Sequence, residues 1–269
     1  MIGWGTYAFF WQWRAAEREQ GTAALPLTDQ IVRTAEAGIH LFQICDYPPL
    51  ESMTDGELDA VAATAHDRGV RLELGTRGVD APHLERWLAL CERLDARLLR
   101  SMVHRDDDRP DAREVERRLR SSIPRFADAG VQLALETYEA IPARELAGVV
   151  SAIDHEALGI CLDPGNGVSI LEHPRDVIDA CAERTIAIHI KDFTFTRNPG
   201  WVGFTLAGAA LGTGLLPLDD LLTATRAAER DLGLVVEHWL PWQHDAATTI
   251  AREIDWTAST TAELRRRGL

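Results

Sequence analysis

The sequence predicts an α/β protein, a single (β/α)8 TIM barrel over residues 1–269. Its 269 residues match the usual length of one such barrel. Short runs rich in Val, Ile and Leu alternate with helical patterns along the whole chain, which implies parallel strands joined by right-handed crossovers. The last four runs each bring an acidic or imidazole side chain to the carboxyl end, the face on which barrels place their chemistry.

Strands are expected near residues 2–5, 39–45, 70–74, 97–103, 131–136, 158–163, 185–190 and 233–238. The clearest helical patterns cover 54–68, 80–95, 111–129, 217–231 and 245–266, the first opening on a capping-box form, Thr54 to Glu57. EAGIHLFQI, DRGVRLELG and DAGVQLALE repeat one device: a helix end, a Gly suited to a left-handed turn, then an apolar strand. No Pro/Ser-rich linker or shift of composition divides the chain. An open doubly wound sheet is the competing architecture, but the first strand-to-helix turn lacks G-x-G-x-x-G. Strand alternation puts Ala134, Cys161, Ala187 and Val235 on the same sides as Glu136, Asp163, His189 and Glu237, so small inward residues are expected below the site.

Apolar residues make up 46%, enough for a large core. A net charge of −14 and a pI near 5.1 argue against nucleic acid or an anionic membrane as partner. The four cysteines, Cys45, Cys91, Cys161 and Cys181, form no C-x-x-C pair and are read as buried thiols of a cytoplasmic protein. The start, MIGWGTYAFFWQW, has no signal-peptide form, and no apolar run is long enough to span a bilayer.

Glu136, Asp163 and Glu237 offer hard oxygen ligands and His189 a borderline nitrogen. Three carboxylates at one point would repel, and one divalent cation resolves that repulsion. The donor set favours Mn²⁺, with Mg²⁺ or Co²⁺ as alternatives, over a thiolate-type zinc site. Taken singly, each carboxylate could instead cap a helix or pair with an Arg, and His189 could be a core histidine.

The motifs LALET, CLDPGN, IHIKD and VVEHW resemble those of the sugar-phosphate isomerase/epimerase superfamily, the xylose-isomerase-like TIM barrels. The likeness extends over essentially the whole chain. It implies that Glu136, Asp163, His189 and Glu237 bind one divalent metal, with Glu136 and Glu237 as acid/base groups on opposite sides of a keto-sugar. Many ketose epimerases of that superfamily carry a His three residues after the strand-6 Asp; here Asn166 stands there, able to hydrogen-bond substrate but not to titrate. The stretches QICDYPPLESMTDGELD, LGTRGVD and KDFTFTRNPGWVGF are similar to a narrower branch, the 3-oxo-isoapionate decarboxylases. That similarity implies substrate contacts by Asp46, Arg77 and Lys191. The simpler alternatives are a turn-forming Asp46, a solvated Arg77 and a Lys191–Asp192 ion pair.

Among the N-terminal aromatics, Tyr7 is a candidate for a sugar-facing wall; Trp11 and Trp13 fit a hydrophobic lid or a dimer contact as well. Arg100 and His104, near the fourth strand, could reach the pocket, whereas Arg105–Arg109 reads as a solvated loop. His238 points away from Glu237 and is not proposed as a ligand. The segment 192–216, with Arg197, Trp201, Phe204 and five glycines, is long for a strand-to-helix loop and is expected to cover the site, with Arg197 as a substrate contact and a homo-oligomer allowed for.

The resulting expectation is a divalent-metal-dependent isomerase or epimerase of a keto-sugar or sugar derivative. The alternative is a lyase, a decarboxylase of a 3-oxo sugar acid, using the same metal. A DNA-repair endonuclease is disfavoured by the acidic charge, and a non-catalytic sugar-binding barrel by the two glutamates. Without a basic, Gly-rich phosphate nest, the small-molecule substrate is expected to be a non-phosphorylated sugar or sugar acid.

Overall fold

The computed structural model describes residues 1–269, apart from the side chain of Trp201. Eight parallel strands close into one barrel: β1 (Ile2–Gly5), β2 (Leu41–Cys45), β3 (Arg71–Arg77), β4 (Leu98–Met102), β5 (Gln132–Glu136), β6 (Leu158–Leu162), β7 (Thr185–Ile190) and β10 (Gly233–Val236). The ring runs β1-β10-β7-β6-β5-β4-β3-β2, so β1 pairs with β10 and leaves no open edge. Helices α2 (Leu27–Glu36), α3 (Asp55–Asp67), α4 (Ala81–Arg93), α5 (Ala112–Ala129), α6 (Ala143–Ile153), α7 (Pro174–Cys181), α8 (Leu218–Thr225) and α9 (Ala246–Arg266) follow the strands. A short α1 (Phe10–Arg14) lies after β1. The fold is a TIM barrel, as the sequence predicts.

The turn device works as read. Gly38, Gly69 and Gly130 all take left-handed φ, at 70°, 63° and 66°. The residue after each returns its N–H to a carbonyl of the preceding helix: Ile39 to Thr34 at 3.1 Å, Val70 to Ala65 at 2.8 Å, Val131 to Phe126 at 3.0 Å. Three other strands enter through Asp95, Asp154 and Asp231, also left-handed at 50°, 48° and 48°. Asp tolerates that conformation better than most residues, so the repeat continues without its glycine. The capping box at Thr54 and Glu57 forms in full.

Leu98, Ala134, Cys161 and Ala187 make a small inner layer within the barrel, separate from the main core between strands and helices. All four cysteines are buried and free. Among the described residues, no helix is long and apolar enough to cross a membrane.

Two expectations change. The helix expected over 217–231 ends at Thr225, because Arg226 turns left-handed at φ 50°. The rest folds back as turns, with the Arg230 guanidinium donating to the carbonyls of Ala182, Thr185 and Thr225. The segment 192–216 is not a plain loop: β8 (Phe193–Arg197) and β9 (Phe204–Gly208) pair as an antiparallel hairpin. The Phe/Thr alternation of FTFTR is the strand signal that its glycines mask. The outer half of this hairpin is exposed, with Phe195 47% and Phe204 58% accessible. Trp201's side chain is outside the described residues.

Candidate metal centre

Glu136 ends β5, Asp163 follows β6, His189 sits in β7 and Glu237 follows β10; all four are at most 3% exposed. Between β6 and β7 the register shifts at Ile160/Cys161, an irregularity of the kind that re-aims strand ends beside active sites. Asp163 is tied to β5: its N–H donates to Thr137 Oγ1 at 2.8 Å, and that hydroxyl donates back to the Asp163 carbonyl at 2.9 Å. Gly165 N–H donates to Asp163 Oδ1 at 3.0 Å, leaving Oδ2 to face inward.

His189 Nδ1 is the hub. It lies 3.5 Å from Glu136 Oε1, 3.8 Å from Asp163 Oδ2 and 3.4 Å from Glu237 Oε1. Donor atoms of Glu136, Asp163 and His189 fall within 4.8 Å of one another. His189 Nδ1, Glu136 Oε2 and Asp163 Oδ2 are fully buried without a well-directed hydrogen bond. Arg100 and Lys191 pair with the two carboxylates at ion-pair distance, but with poor hydrogen-bond angles. His189 Nδ1 and Asp163 Oδ2, left in this state and facing each other at 3.8 Å, are what a metal-binding site leaves open, whereas Glu136 turns Oε2 to Arg100 and Oε1 toward His189. The triad of Glu136, Asp163 and His189 could hold a metal ion, since carboxylate oxygens with one imidazole nitrogen suit a divalent cation; Glu237 lies beside it, 3.4 Å from His189 Nδ1.

Charge explains the titration of the cluster. Burial alone would raise Glu136, but Arg100 and His189 outweigh it and hold the carboxyl at about 2. Glu237 moves the other way: burial raises it above the ordinary carboxylate value, against the pull of His189 and Lys191. Burial opposes a charged His189, yet Glu237 and Glu136 raise it well above the usual imidazole value. The Cys161 thiol beside it is itself pushed up by burial and so stays neutral. A cation, proton or metal, is what this position demands.

The remaining expected residues fall into two groups. Lys191 Nζ lies 2.6 Å from Asp163 Oδ2 and 3.6 Å from Glu237 Oε2, and 4.0 Å over the Trp239 ring. It also donates to Asn166 Oδ1 at 3.0 Å, while Asn166 Nδ2 donates to Glu136 Oε1 at 2.8 Å. Asn166 therefore bridges Lys191 to Glu136. Lys191 does not pair with Asp192, whose carboxylate instead accepts the N–H groups of Phe193, Gly212, Gly214 and Leu216. The second group surrounds Asp46, which takes a left-handed φ of 46° and accepts from Arg77 Nε at 2.7 Å, Tyr7 OH at 3.1 Å and Arg100 at 3.3 Å. A turn and a polar hub are thus the same residue. Beside it opens a cavity of about 430 Å³, lined by residues that include Tyr7, Asp46, Tyr47, Thr76, Arg77 and Trp87.

Arg100 joins the two groups. It is 1% exposed, with Nε 2.5 Å from Glu136 Oε2 and its other nitrogens on Asp46 and the Thr76 carbonyl. Arg197 is not brought in: it stands on the exposed half of the hairpin, its guanidinium 4.3 Å from the Phe204 ring centroid. His104 faces the Pro110 carbonyl, and His238 faces Thr257 on α9. Trp11 is anchored by Leu240 O and Trp242, and Trp13 packs on Tyr47. Arg105 is no free loop residue, since it pairs with Asp80. Sequence reasoning passed over Gln43 and Glu73, although both interrupt apolar strands, in LFQIC and RLELG. Gln43 Oε1 faces His189 Nε2 at 2.8 Å, and Gln43 Nε2 donates to Glu73 Oε2 at 3.0 Å.

Residues 31–260 match the family model described as xylose isomerase-like TIM barrel. The chain belongs to that family. It is 47% identical over 256 residues, 95% of this chain and 92% of the relative, to a 3-oxo-isoapionate decarboxylase of Pectobacterium atrosepticum. Among solved structures it is similar to a D-psicose 3-epimerase crystallised with D-fructose, at 14% identity and a TM-score of 0.71, covering 98% of each chain. A xylose isomerase-like barrel of Mycobacterium smegmatis in complex with magnesium matches at 17% identity and a TM-score of 0.66, over 97% of this chain and 96% of that one. These two distant likenesses concern the fold. The family is one of enzymes.

Proposed function

We propose that this protein is a divalent-metal-dependent carboxy-lyase acting on a 3-oxo sugar acid. The carrying observation is the 47% identity to a 3-oxo-isoapionate decarboxylase across 95% of the chain. That likeness favours the second of the two reactions expected from the sequence over isomerisation or epimerisation.

The site supports the reading. A dication held by Glu136, Asp163, His189 and Glu237, with Mn²⁺ the preferred candidate, would supply Lewis acidity toward a carbonyl oxygen. Around that position, the carboxylates of Glu136, Asp163, Glu237 and Asp46 face the cations Arg100, Arg77 and Lys191. Four negative charges against three positive become one net positive charge once a dication is included. A monoanionic acid suits that balance better than a neutral ketose.

In the reaction the bond between the carboxylate carbon and its neighbour breaks. CO₂ leaves, and the electron pair moves toward the 3-oxo oxygen. Lys191 is assigned to that oxygen, because a cation fixed on the departing carboxylate would hold back the pair that CO₂ must leave behind. After CO₂ has left, Glu237, whose carboxyl burial raises, is assigned to take a proton from solvent and pass it to carbon. Glu136 is a poor partner for that step, since Arg100 and Asn166 occupy both its oxygens and keep it ionised. Epimerisation wants two exchanging groups on opposite faces; decarboxylation needs one proton delivered. Tyr7, Asp46, Arg77 and Asn166 are assigned to substrate hydroxyls.

The test is to incubate the purified chain and Mn²⁺ with 3-oxo-isoapionate in D₂O. CO₂ release with one deuterium in the product is expected. Deuterium exchange into ketoses without CO₂ would return the reading to an epimerase or isomerase.

A further inference from the structure

Gln43 and Glu73 stand opposite each other on β2 and β3, both facing the barrel interior, 0% and 4% exposed. Gln43 reaches across the barrel to His189 on β7, a partner 146 residues away in the chain. The orientation of its amide follows from its neighbours. Its Nε2 donates to the Glu73 carboxylate at 3.0 Å, which accepts and cannot donate when ionised. Its Oε1 takes the Cys45 thiol at 2.9 Å and His189 Nε2 at 2.8 Å. An amide oxygen facing His189 requires a proton on Nε2. The nitrogen left to carry a lone pair is then Nδ1, the atom aimed at Glu136, Asp163 and Glu237.

We infer that Glu73 and Gln43 are positioning residues that set the imidazole of His189 for metal binding through Nδ1. The inference rests on the metal reading above. Glu73 acts two bonds removed: it stops the Gln43 amide from turning over, and so stops an NH₂ group from facing Nε2. A turned amide would favour the tautomer with its proton on Nδ1, which cannot ligate. Metal-bound histidines generally depend on such an outer partner, and its loss typically weakens the metal 10–100-fold. Glu73 itself touches neither the metal position nor the substrate cavity, which distinguishes its role from a catalytic one.

The experiment is a calorimetric titration of Co²⁺ into the purified chain, with the visible Co²⁺ absorption as a second readout. Glu73→Leu and Gln43→Leu should each weaken Co²⁺ by about 10–100-fold and shift its spectrum. Glu73→Gln keeps an oxygen that can accept from Gln43, so it should retain most of the affinity and the spectrum. Circular dichroism identifies any variant that fails to fold, and the remaining two then decide. Folded leucine variants that bind Co²⁺ like the parent protein, or a Glu73→Gln variant as weak as Glu73→Leu, would overturn the inference. A parent chain that binds no Co²⁺ would overturn the metal reading and this inference with it, an outcome distinct from the other two.

Discussion

Arg100 Nε lies 2.5 Å from Glu136 Oε2, both side chains shut off from solvent at the carboxyl end of the barrel. The same guanidinium reaches Asp46, so one buried cation ties the candidate metal cluster to the residues around the cavity beside Asp46. A buried pair of this kind is costly to break, because removing one member strands the other's charge.

Arg100→Met should therefore destabilise the fold by about 3–5 kcal/mol in denaturant unfolding. Saturating Mn²⁺ should recover part of the loss by supplying the missing positive charge. A variant as stable as the parent would show that the pair contributes little.

A ligand bound only by the folded state stabilises it. At a concentration one hundred times its Kd, Mn²⁺ should add about 2.7 kcal/mol. For a chain of this size that raises the melting temperature by roughly 5 °C, and a chelator should reverse it. Melting curves indifferent to Mn²⁺, Mg²⁺ and Co²⁺ alike would count against a metal centre.

Lys191 Nζ occupies the electrostatic place of a cation between Asp163 and Glu237. Lys191→Met should remove that competition and tighten Mn²⁺ binding, on the order of tenfold. It should lower turnover by about 10²–10³, since the charge on the 3-oxo oxygen loses its donor. Titration calorimetry and steady-state rates measure the two effects separately. Weaker metal binding together with unchanged turnover would remove Lys191 from the site.

Glu253 on α9 holds the start of α1, accepting from the N–H groups of Trp11 and Gln12 and from Gln12 Nε2. Burial raises its carboxyl to about 8, against those hydrogen bonds. A raised folded-state value means the stabilisation is full below the unfolded value near 4.5 and is lost as pH rises toward 8. Stability should fall by on the order of 4–5 kcal/mol across that window. Glu253→Gln should flatten the slope, as followed by urea unfolding at pH 5 and pH 8. An identical slope in the variant would place the dependence elsewhere.

Much of the fold is local in origin and was legible for that reason. Gly38, Gly69 and Gly130 end helices through contacts within six residues, and strand alternation follows from backbone geometry. Glu136, Asp163, His189 and Glu237 stood out because a charge at the end of an apolar strand has no local use. The hairpin was obscured by its glycines, and α8 stops at Thr225 where Arg226 turns left-handed.

The amino-acid order by itself determined the eightfold repeat, the closed barrel it implies and the four strand-end side chains. The tertiary structure alone decided the partners. Lys191 meets Asp163 and not its neighbour Asp192; Arg100 meets Glu136; Gln43 meets His189. Those pairings join strands far apart in the chain, and they arise only where barrel closure brings the strands together. Periodicity reports which face a side chain takes, whereas its partner is set by what arrives on that face from elsewhere.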